Sequence, residues 1–379
     1  MSQASRPKKV VIMTVPYGGG HYATALKIAD LLKERDTSVN VEILDVITDA
    51  WPSFAKSSTN AYQGSTASDS AFWFKLYYRL TDRFPSPLRW FASIAFHGYA
   101  QRKLGELKPD LIIATFPFLG HVAAKARKGA HEHMPIVTTM TDAGKVQGIW
   151  LCGQEDAILA ATPDTVDYAR RRGMGGDRVK FIGFPVNRVF YELEPPKKAR
   201  RALGMKPDVF TILLTSGGLG MSAHKVVTLA KRLAQLTSTA QIICVAGRNE
   251  ALKAEFEAIE FPDNLTVSIQ GYVDNMPSLM AASDIVISKS GWLTISEAIA
   301  AQKPLFLFDA IPGHEEQNAS YVAHRNFGVY EPDPVAMYQE ISSVVARPEL
   351  LKSYATPLAR ANNPQTRTEL ADYFLGLLH

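Results

Sequence analysis

The residues of this chain best equipped for chemistry lie between Gly271 and Asn318, GYVDNMPSLMAASDIVISKSGWLTISEAIAAQKPLFLFDAIPGHEEQN. A β-branched run ending at Ser288 predicts a strand, and Lys289-Ser290-Gly291-Trp292-Leu293-Thr294 leads from it into a predicted helix. Ser290 and Gly291 would open that helix with free amides and hydroxyls, an arrangement suited to a pyrophosphate. Glu297 follows Thr294 by three residues and shares its helical face, where a carboxylate can accept both hydroxyls of a ribose. The next strand runs into Pro312-Gly313-His314-Glu315-Glu316-Gln317-Asn318, a dense set of donors and acceptors for a polyhydroxylated sugar. Taken singly these are an N-cap, a surface charge and a polar loop. Their recurrence at consecutive strand ends is what points to a nucleotide-sugar ligand.

Two glycine-rich turns add to this set. In TILLTSGGLGMSAHKVVTLAKRL, Ser216-Gly217-Gly218-Leu219-Gly220 joins a strand to a helix, and its amides could cradle a diphosphate. The Walker arrangement GxxxxGK[ST] is missing, which disfavours NTP hydrolysis. Near the N-terminus, Pro16-Tyr17-Gly18-Gly19-Gly20-His21 stands between the strand Val10–Val15 and the helix-compatible YATALKIADLLKER. Three glycines there let a ligand approach the backbone and expose helix N-terminal amides. His21 begins that helix, where the dipole disfavours the imidazolium and favours the neutral ring a base requires. A lone glycine turn or a lone His is usually structural; their coincidence at the end of the first strand favours a site.

Short β-branched runs alternate with helix-compatible segments throughout, which predicts parallel α/β layers. One series comprises Lys9–Thr14, Val39–Val46, Asp110–Phe116, Ile136–Met140, Ala157–Ala161 and Val179–Ile182. The other comprises Phe210–Thr215, Gln241–Val245, Leu265–Ile269, Asp284–Ser288, Pro304–Phe308 and Gly328–Tyr330. Between them, YELEPPKKARRALGMKPD reads as a linker leading into a short helix. The expected domains are therefore residues 1–195 and 196–379, and 379 residues agree with a prior of about 100–200 per domain. Ligands of such sheets sit beyond the carboxyl ends of the strands, so the catalytic site is expected in a cleft between the domains. Trp51–Gln101 breaks the alternation and interleaves aromatics with cations in AFWFKLYYRLTDRF and SPLRWFASIAF. Such helices either bury one face on the sheet or lie at a membrane interface.

Composition narrows the classes. With 46% hydrophobic and 21% charged residues, the chain reads as an ordinary globular protein. Two cysteines, Cys152 and Cys244, disfavour a disulfide framework or a multi-cysteine metal site and fit a reducing compartment, the cytoplasm by default. The N-terminal MSQASRPKKVVIMTV lacks the apolar region of a signal peptide, and no window holds the roughly 18 apolar residues of a spanning helix. A net charge of +4 and a pI near 8.8 permit an anionic ligand or surface, while no stripe suggests nucleic acid.

The sequence resembles the inverting glycosyltransferases that include monogalactosyldiacylglycerol synthases and processive diacylglycerol glucosyltransferases, relatives of the peptidoglycan lipid-linked GlcNAc transferase. The resemblance is carried by YGGGH at 17–21, TFP at 115–117, MTD at 140–142 with Trp150, and GFPV at 183–186. In the second half it is carried by SGGLG at 216–220, GYVDNMPSLMAASDIVISKSGWLTISEA at 271–298 and PGHEEQN at 312–318. It implies a GT-B fold, two Rossmann-like doubly wound domains facing a central cleft, with the last helix packing back on the N-terminal domain.

It further implies a UDP-sugar donor held by Gly217, Gly218 and Gly220, with uracil beside Tyr272, Val273 and Met276. The diphosphate would lie near Ser290, Gly291 and Thr294, the ribose on Glu297, and the sugar on Glu315, Glu316, Gln317 and Asn318. His21, beside the acceptor-side loop Gly18, Gly19 and Gly20, is the implied base, with Asp142 as a rival or orienting carboxylate. The family stabilises departing UDP with amides and helix dipoles, so no cofactor or obligatory metal is expected. The acceptor would be diacylglycerol or a related lipid, and Trp51–Gln101 would hold an anionic membrane surface from the cytoplasmic side. One departure stands out: AGKVQGI, between Asp142 and Trp150, lacks the His that several relatives carry. Residue reading leaves open glucose against galactose, a UDP-GlcNAc epimerase-like activity, and a non-catalytic nucleotide-sugar sensor.

Overall fold

The computed structural model describes residues 6–15, 19–53, 82, 85–127, 133–151, 154–218, 222–313 and 315–378. Their contacts divide the chain into two compact units, residues 1–185 with 365–379, and residues 186–364. Each is built on a six-stranded, wholly parallel sheet. In the first unit β1 (Lys9–Thr14), β2 (Asn40–Asp45), β3 (Leu111–Ala114), β4 (Ile136–Thr139), β5 (Ala157–Leu159) and β6 (Val179–Lys180) lie in the order β2-β1-β3-β4-β5-β6. In the second, β7 (Thr211–Thr215), β8 (Ala240–Val245), β9 (Leu265–Gln270), β10 (Ile285–Lys289), β11 (Leu305–Asp309) and β12 (Gly328–Tyr330) lie in the order β12-β11-β10-β7-β8-β9. These are the strands expected from the β-branched runs, with ends shifted by no more than two residues.

A parallel sheet is covered on both faces, so its strands are apolar without interruption and alternate residues enter different cores. Val11 and Met13 of β1 join Ile112 and Ala114 under the helix Pro85–Leu107, which contributes Ala92, Phe96, Ala100 and Leu104 at four-residue spacing. Val10 and Ile12 point the other way, onto Ile28 and Leu32 of the helix Gly20–Arg35 and onto Leu370 and Phe374 of the helix Thr366–Gly376. The end of the chain is thereby part of the first unit. Arg35 with Asp372, at 2.7 Å, and Arg367 with Glu34 close the rim of that packing. In the second unit Ile212, Leu214, Ile242, Ile287 and Phe306 bury one face of the sheet, together with Cys244. Burial pushes the Cys244 thiol up to about 12, so it behaves as an apolar core group.

The winding direction reverses once in each sheet. From β1 the chain crosses to β2, whereas β3 lies on the opposite side of β1 and continues to β4. From β7 it crosses to β8 and β9, then returns to β10 on the other side of β7. Right-handed crossovers send the two connections to opposite faces, which leaves the carboxyl ends of β1 and β3, and of β7 and β10, uncovered by a helix. The turn after β7 is held down by Gly247, the second residue after the β8 strand. Gly247 has φ +64°, and a Cβ there would lie 2.7 Å from the Gly217 carbonyl oxygen and 2.8 Å from that of Gly218. Gly247→Ala is expected to destabilise the protein by about 1–3 kcal/mol in urea unfolding, the range for one strained backbone position. Gly98→Ala, in a helix with open space around the added methyl, should instead be neutral or mildly stabilising.

Candidate functional site

In the N-terminal unit the helix Gly20–Arg35 starts from Gly19 in the left-handed region, φ 75°, and this turn brings His21 back over the end of β3. Its Nδ1 donates to the Thr115 carbonyl oxygen at 2.8 Å, and Thr141 Oγ1 lies 3.0 Å from the same nitrogen. A carbonyl can only accept, so Nδ1 carries the hydrogen, and in the neutral ring Nε2 is the nitrogen with a lone pair. The buried ring packs edge-on to Phe116 at 4.8 Å and 6.1 Å from Trp150. Thr115 Oγ1 donates to Thr14 Oγ1 at 2.8 Å, which ties the β3 turn to β1. The geometry is that of an imidazole fixed in one tautomer and one orientation. Asp142, the rival carboxylate, is buried one residue beyond Thr141. Of the glycine turn, Gly19 and Gly20 are placed as described, while Gly18 lies outside the described residues.

In the C-terminal unit the residues expected to bind a nucleotide sugar collect at the ends of β7, β9, β10 and β11. Gly217 has φ 83°, and its amide donates to Thr215 Oγ1 at 3.2 Å. Ser216, beside it, is buried, and its Oγ has no hydrogen-bond partner among the described residues. Gly220 and His314 lie outside the described residues. Beyond β9, Tyr272 is exposed and carries the Arg248 guanidinium 4.5 Å above its ring, with Val273 and Met276 partly exposed beside it. The helix Trp292–Ala300 presents Thr294 and Glu297 on one partly exposed face.

The expectation of free groups at Ser290 needs correction. The Ser290 amide and Oγ both donate to the Asp309 carbonyl, each at 2.8 Å, and the side chain is fully buried. The Gly291 amide turns back to the Lys289 carbonyl at 2.8 Å. Ser290 therefore fastens β10 to β11, and the amides left for a ligand are those of the first helical turn, which have no acceptor within the helix. Glu315 and Asn318 are likewise buried. Glu315 pairs with Lys289 and accepts from the Ile311 amide at 3.3 Å, while Asn318 Nδ2 donates to the Ser290 carbonyl at 3.1 Å. Glu316 accepts from the Gly313 amide at 2.9 Å and, with Gln317, remains partly exposed.

Several residues that organise the site were not singled out by their types. Thr115 and Thr141 hold His21. Asp309 takes Ser222 Oγ at 2.5 Å and the Lys225 ammonium on its carboxylate. Lys289 pairs with Glu315. The available signal was a charge closing an otherwise apolar strand, IVISK in β10 and LFLFD in β11.

Two Rossmann-type parallel sheets, one with an oriented imidazole and the other with a cluster of polar and charged side chains at its switch point, define the GT-B fold. The monogalactosyldiacylglycerol (MGDG) synthase family model matches residues 21–186, and the glycosyltransferase family 28 C-terminal domain model matches residues 211–372. The two matches follow one another along the chain, and together they take in both sheets. It is 27% identical to a processive diacylglycerol beta-glucosyltransferase of Staphylococcus saprophyticus, over 98% of this chain and 93% of that one. It is 28% identical to monogalactosyldiacylglycerol synthase 1, chloroplastic, of Arabidopsis thaliana, over 91% of this chain and 65% of the plant protein. Among solved structures, Acinetobacter baumannii MurG shares the fold with a TM-score of 0.66 at 18% identity, over 98% of this chain and 100% of that one.

Glu297 offers a direct check on the donor side. Its replacement by Ala is expected to weaken UDP binding by about 1–3 kcal/mol, the range for losing hydrogen bonds to a charged group. Unchanged UDP affinity in calorimetry would remove it from the site.

Proposed function

We propose that the protein transfers glucose or galactose from its UDP conjugate to diacylglycerol or a related lipid, with inversion at the anomeric carbon. The observation that carries this reading is the oriented imidazole of His21 inside the unit that matches the MGDG synthase model. An acceptor hydroxyl needs a base that is neutral and correctly turned, and the Thr115 carbonyl supplies that orientation by fixing Nδ1 as the donor. The acceptor oxygen bonds to C1 of the hexose as the C1–O bond to the β-phosphate breaks. The hydroxyl proton passes to His21 Nε2, and the electron pair leaves on UDP. The C-terminal unit supplies the donor contacts through Tyr272, Val273 and Met276 for uracil, Glu297 for ribose, the Gly217–Gly218 turn and the Gly291–Thr294 turn for diphosphate, and Glu316 and Gln317 for the sugar.

The acceptor is a lipid, and the helix Pro85–Leu107 has a face suited to its surroundings. Trp90, Phe91 and Ile94 are 62%, 56% and 61% exposed, opposite the Ala92–Leu104 stripe that packs on the sheet, and exposed Trp51 packs on Phe96 at 5.5 Å. Aromatic side chains of this kind suit the headgroup layer, and a net charge of +4 favours anionic lipid. No helix among the described residues is long and apolar enough to cross a membrane. The reading is of a protein held peripherally on the inner face of the cell membrane. Most of Trp51–Gln101 before Pro85 lies outside the described residues, so the exposed face on Pro85–Leu107 carries this part.

Incubation with UDP-glucose or UDP-galactose and diacylglycerol vesicles is expected to yield a hexosyl lipid. The rate should be higher on anionic than on neutral vesicles and should fall as salt screens the surface. Absence of any glycolipid from a folded protein that binds UDP would overturn the acceptor assignment. Replacing the base should lower turnover by about 10²–10⁴ without changing UDP affinity. His21→Ala is expected to show that pattern; near-normal turnover in His21→Ala with loss in Asp142→Asn would move the base to Asp142.

A further inference from the structure

We infer that Lys289 is the cation that takes up the negative charge of the departing nucleoside diphosphate, and that Glu315 is the residue that positions it. The inference rests on the reading of the C-terminal unit as the UDP-sugar domain. Lys289 ends β10, the strand beside β7 where the winding reverses, so its side chain stands at the uncovered edge of the sheet. The ladder is irregular at this residue: Ser288 pairs with Leu307 but Lys289 pairs with Asp309, skipping Phe308. A bulge of this kind bends the strand that carries the extra residue. Here the extra residue is Phe308 of β11, and it brings Asp309, which fastens the turns, level with Lys289.

Gly217 and Gly291, in the turns after β7 and β10, both lie close to that side chain. A Cβ on Gly217 would lie 3.8 Å from Lys289 Cε, and one on Gly291 would lie 3.3 Å from Lys289 Nζ. With glycine at both positions, neither residue places a side chain against the ammonium. The lysine and glutamate side chains are 13% and 5% exposed, so the pair is largely withdrawn from water, where each charge is costly without a partner. Among the described residues one ammonium hydrogen is committed to Glu315, and the others remain for phosphate oxygens. Ser290 cannot supply that service, because its hydroxyl hydrogen and amide are both directed at the Asp309 carbonyl. The buried Ser216 Oγ, without a partner among the described residues, is a further polar atom in the turn that Lys289 flanks.

When the C1–O bond to the β-phosphate breaks, its electron pair stays on the phosphate oxygen and the charge there grows. A fixed ammonium binds that charge more tightly than the ground state, which lowers the barrier. Glu315 neutralises the lysine before the donor arrives and keeps it from turning away into solvent.

Lys289→Met alone would strand a buried carboxylate, so the decisive variant is the neutral double substitution K289M/E315Q, compared with Glu315→Gln alone. UDP and uridine binding are measured by calorimetry, and kcat for hexosyl transfer is measured with saturating donor. The double variant is expected to bind uridine like the wild type, to bind UDP about 10–100-fold more weakly, and to lose about 10²–10³ in kcat. Glu315→Gln is expected to keep or tighten UDP binding while kcat falls, because the ammonium is released but no longer held in place. A double variant with wild-type UDP affinity and kcat would overturn the proposal, showing the pair to be only a structural link. Glu315→Gln that weakens UDP as much as the double variant would overturn the positioning role of Glu315. A wild-type protein that binds uridine and UDP with equal affinity would overturn the role of Lys289 at the diphosphate. Binding of neither would overturn the donor-domain reading beneath it.

Discussion

A parallel sheet whose crossovers all pass over one face would have every strand end covered by the next helix. Here the winding reverses once in each sheet, and the two connections that leave adjacent strands depart to opposite faces. The backbone groups at those two strand ends are left for turns and side chains to satisfy. His21 and Thr115 meet at one such point, between the ends of β1 and β3. Gly217 and Lys289 meet at the other, between β7 and β10. Each grouping follows from where the crossover handedness leaves space.

The two units fill that space with different physics. In the first, the groups that hold the imidazole include a carbonyl, a threonine hydroxyl and aromatic rings. Such contacts fix the orientation of the ring, which suits proton transfer. In the second, the strand ends carry ion pairs, Lys289 with Glu315 and Lys225 with Asp309. Those charges suit a ligand that is itself highly charged. Both units begin the helix after the first strand from a left-handed residue, Gly19 at φ 75° and Ser222 at φ 60°. Glycine adopts that conformation without strain, whereas Ser222 is held there by its hydrogen bond to the Asp309 carboxylate.

Asp309 shows how few contacts keep the second site together. Its carbonyl receives the Ser290 amide and hydroxyl, and its carboxylate receives Ser222 and Lys225. One residue at the end of β11 thus fastens the turn after β7 and the turn after β10. Asn318 and Glu315 complete the fastening from the next helix and its cap. Ordering these loops costs about 1–2 kcal/mol of conformational freedom per residue, and these polar contacts offset that cost. Glu315 and Asn318 of PGHEEQN therefore serve as framework, while Glu316 and Gln317 stay partly exposed.

The strand positions were legible in the sequence because a buried parallel strand is a short apolar run between turn residues, and that pattern is local. The glycine turns, the His21 helix start and the Thr294–Glu297 face were legible for the same reason: each is set within one or two turns of chain. The partners of these residues were not. Thr115 lies 94 positions from His21 and Thr141 lies 120 positions from it, and no local pattern marks either as the group that fixes its tautomer. Ser290 read as an open hydroxyl because the sequence contains no trace of the Asp309 carbonyl above it, 19 positions away. Sequence determined which residue types stand at the strand ends, through periodicity and turn chemistry. Tertiary structure decided which of them face each other, because strand order and crossover direction, not distance along the chain, bring the ends of parallel strands together.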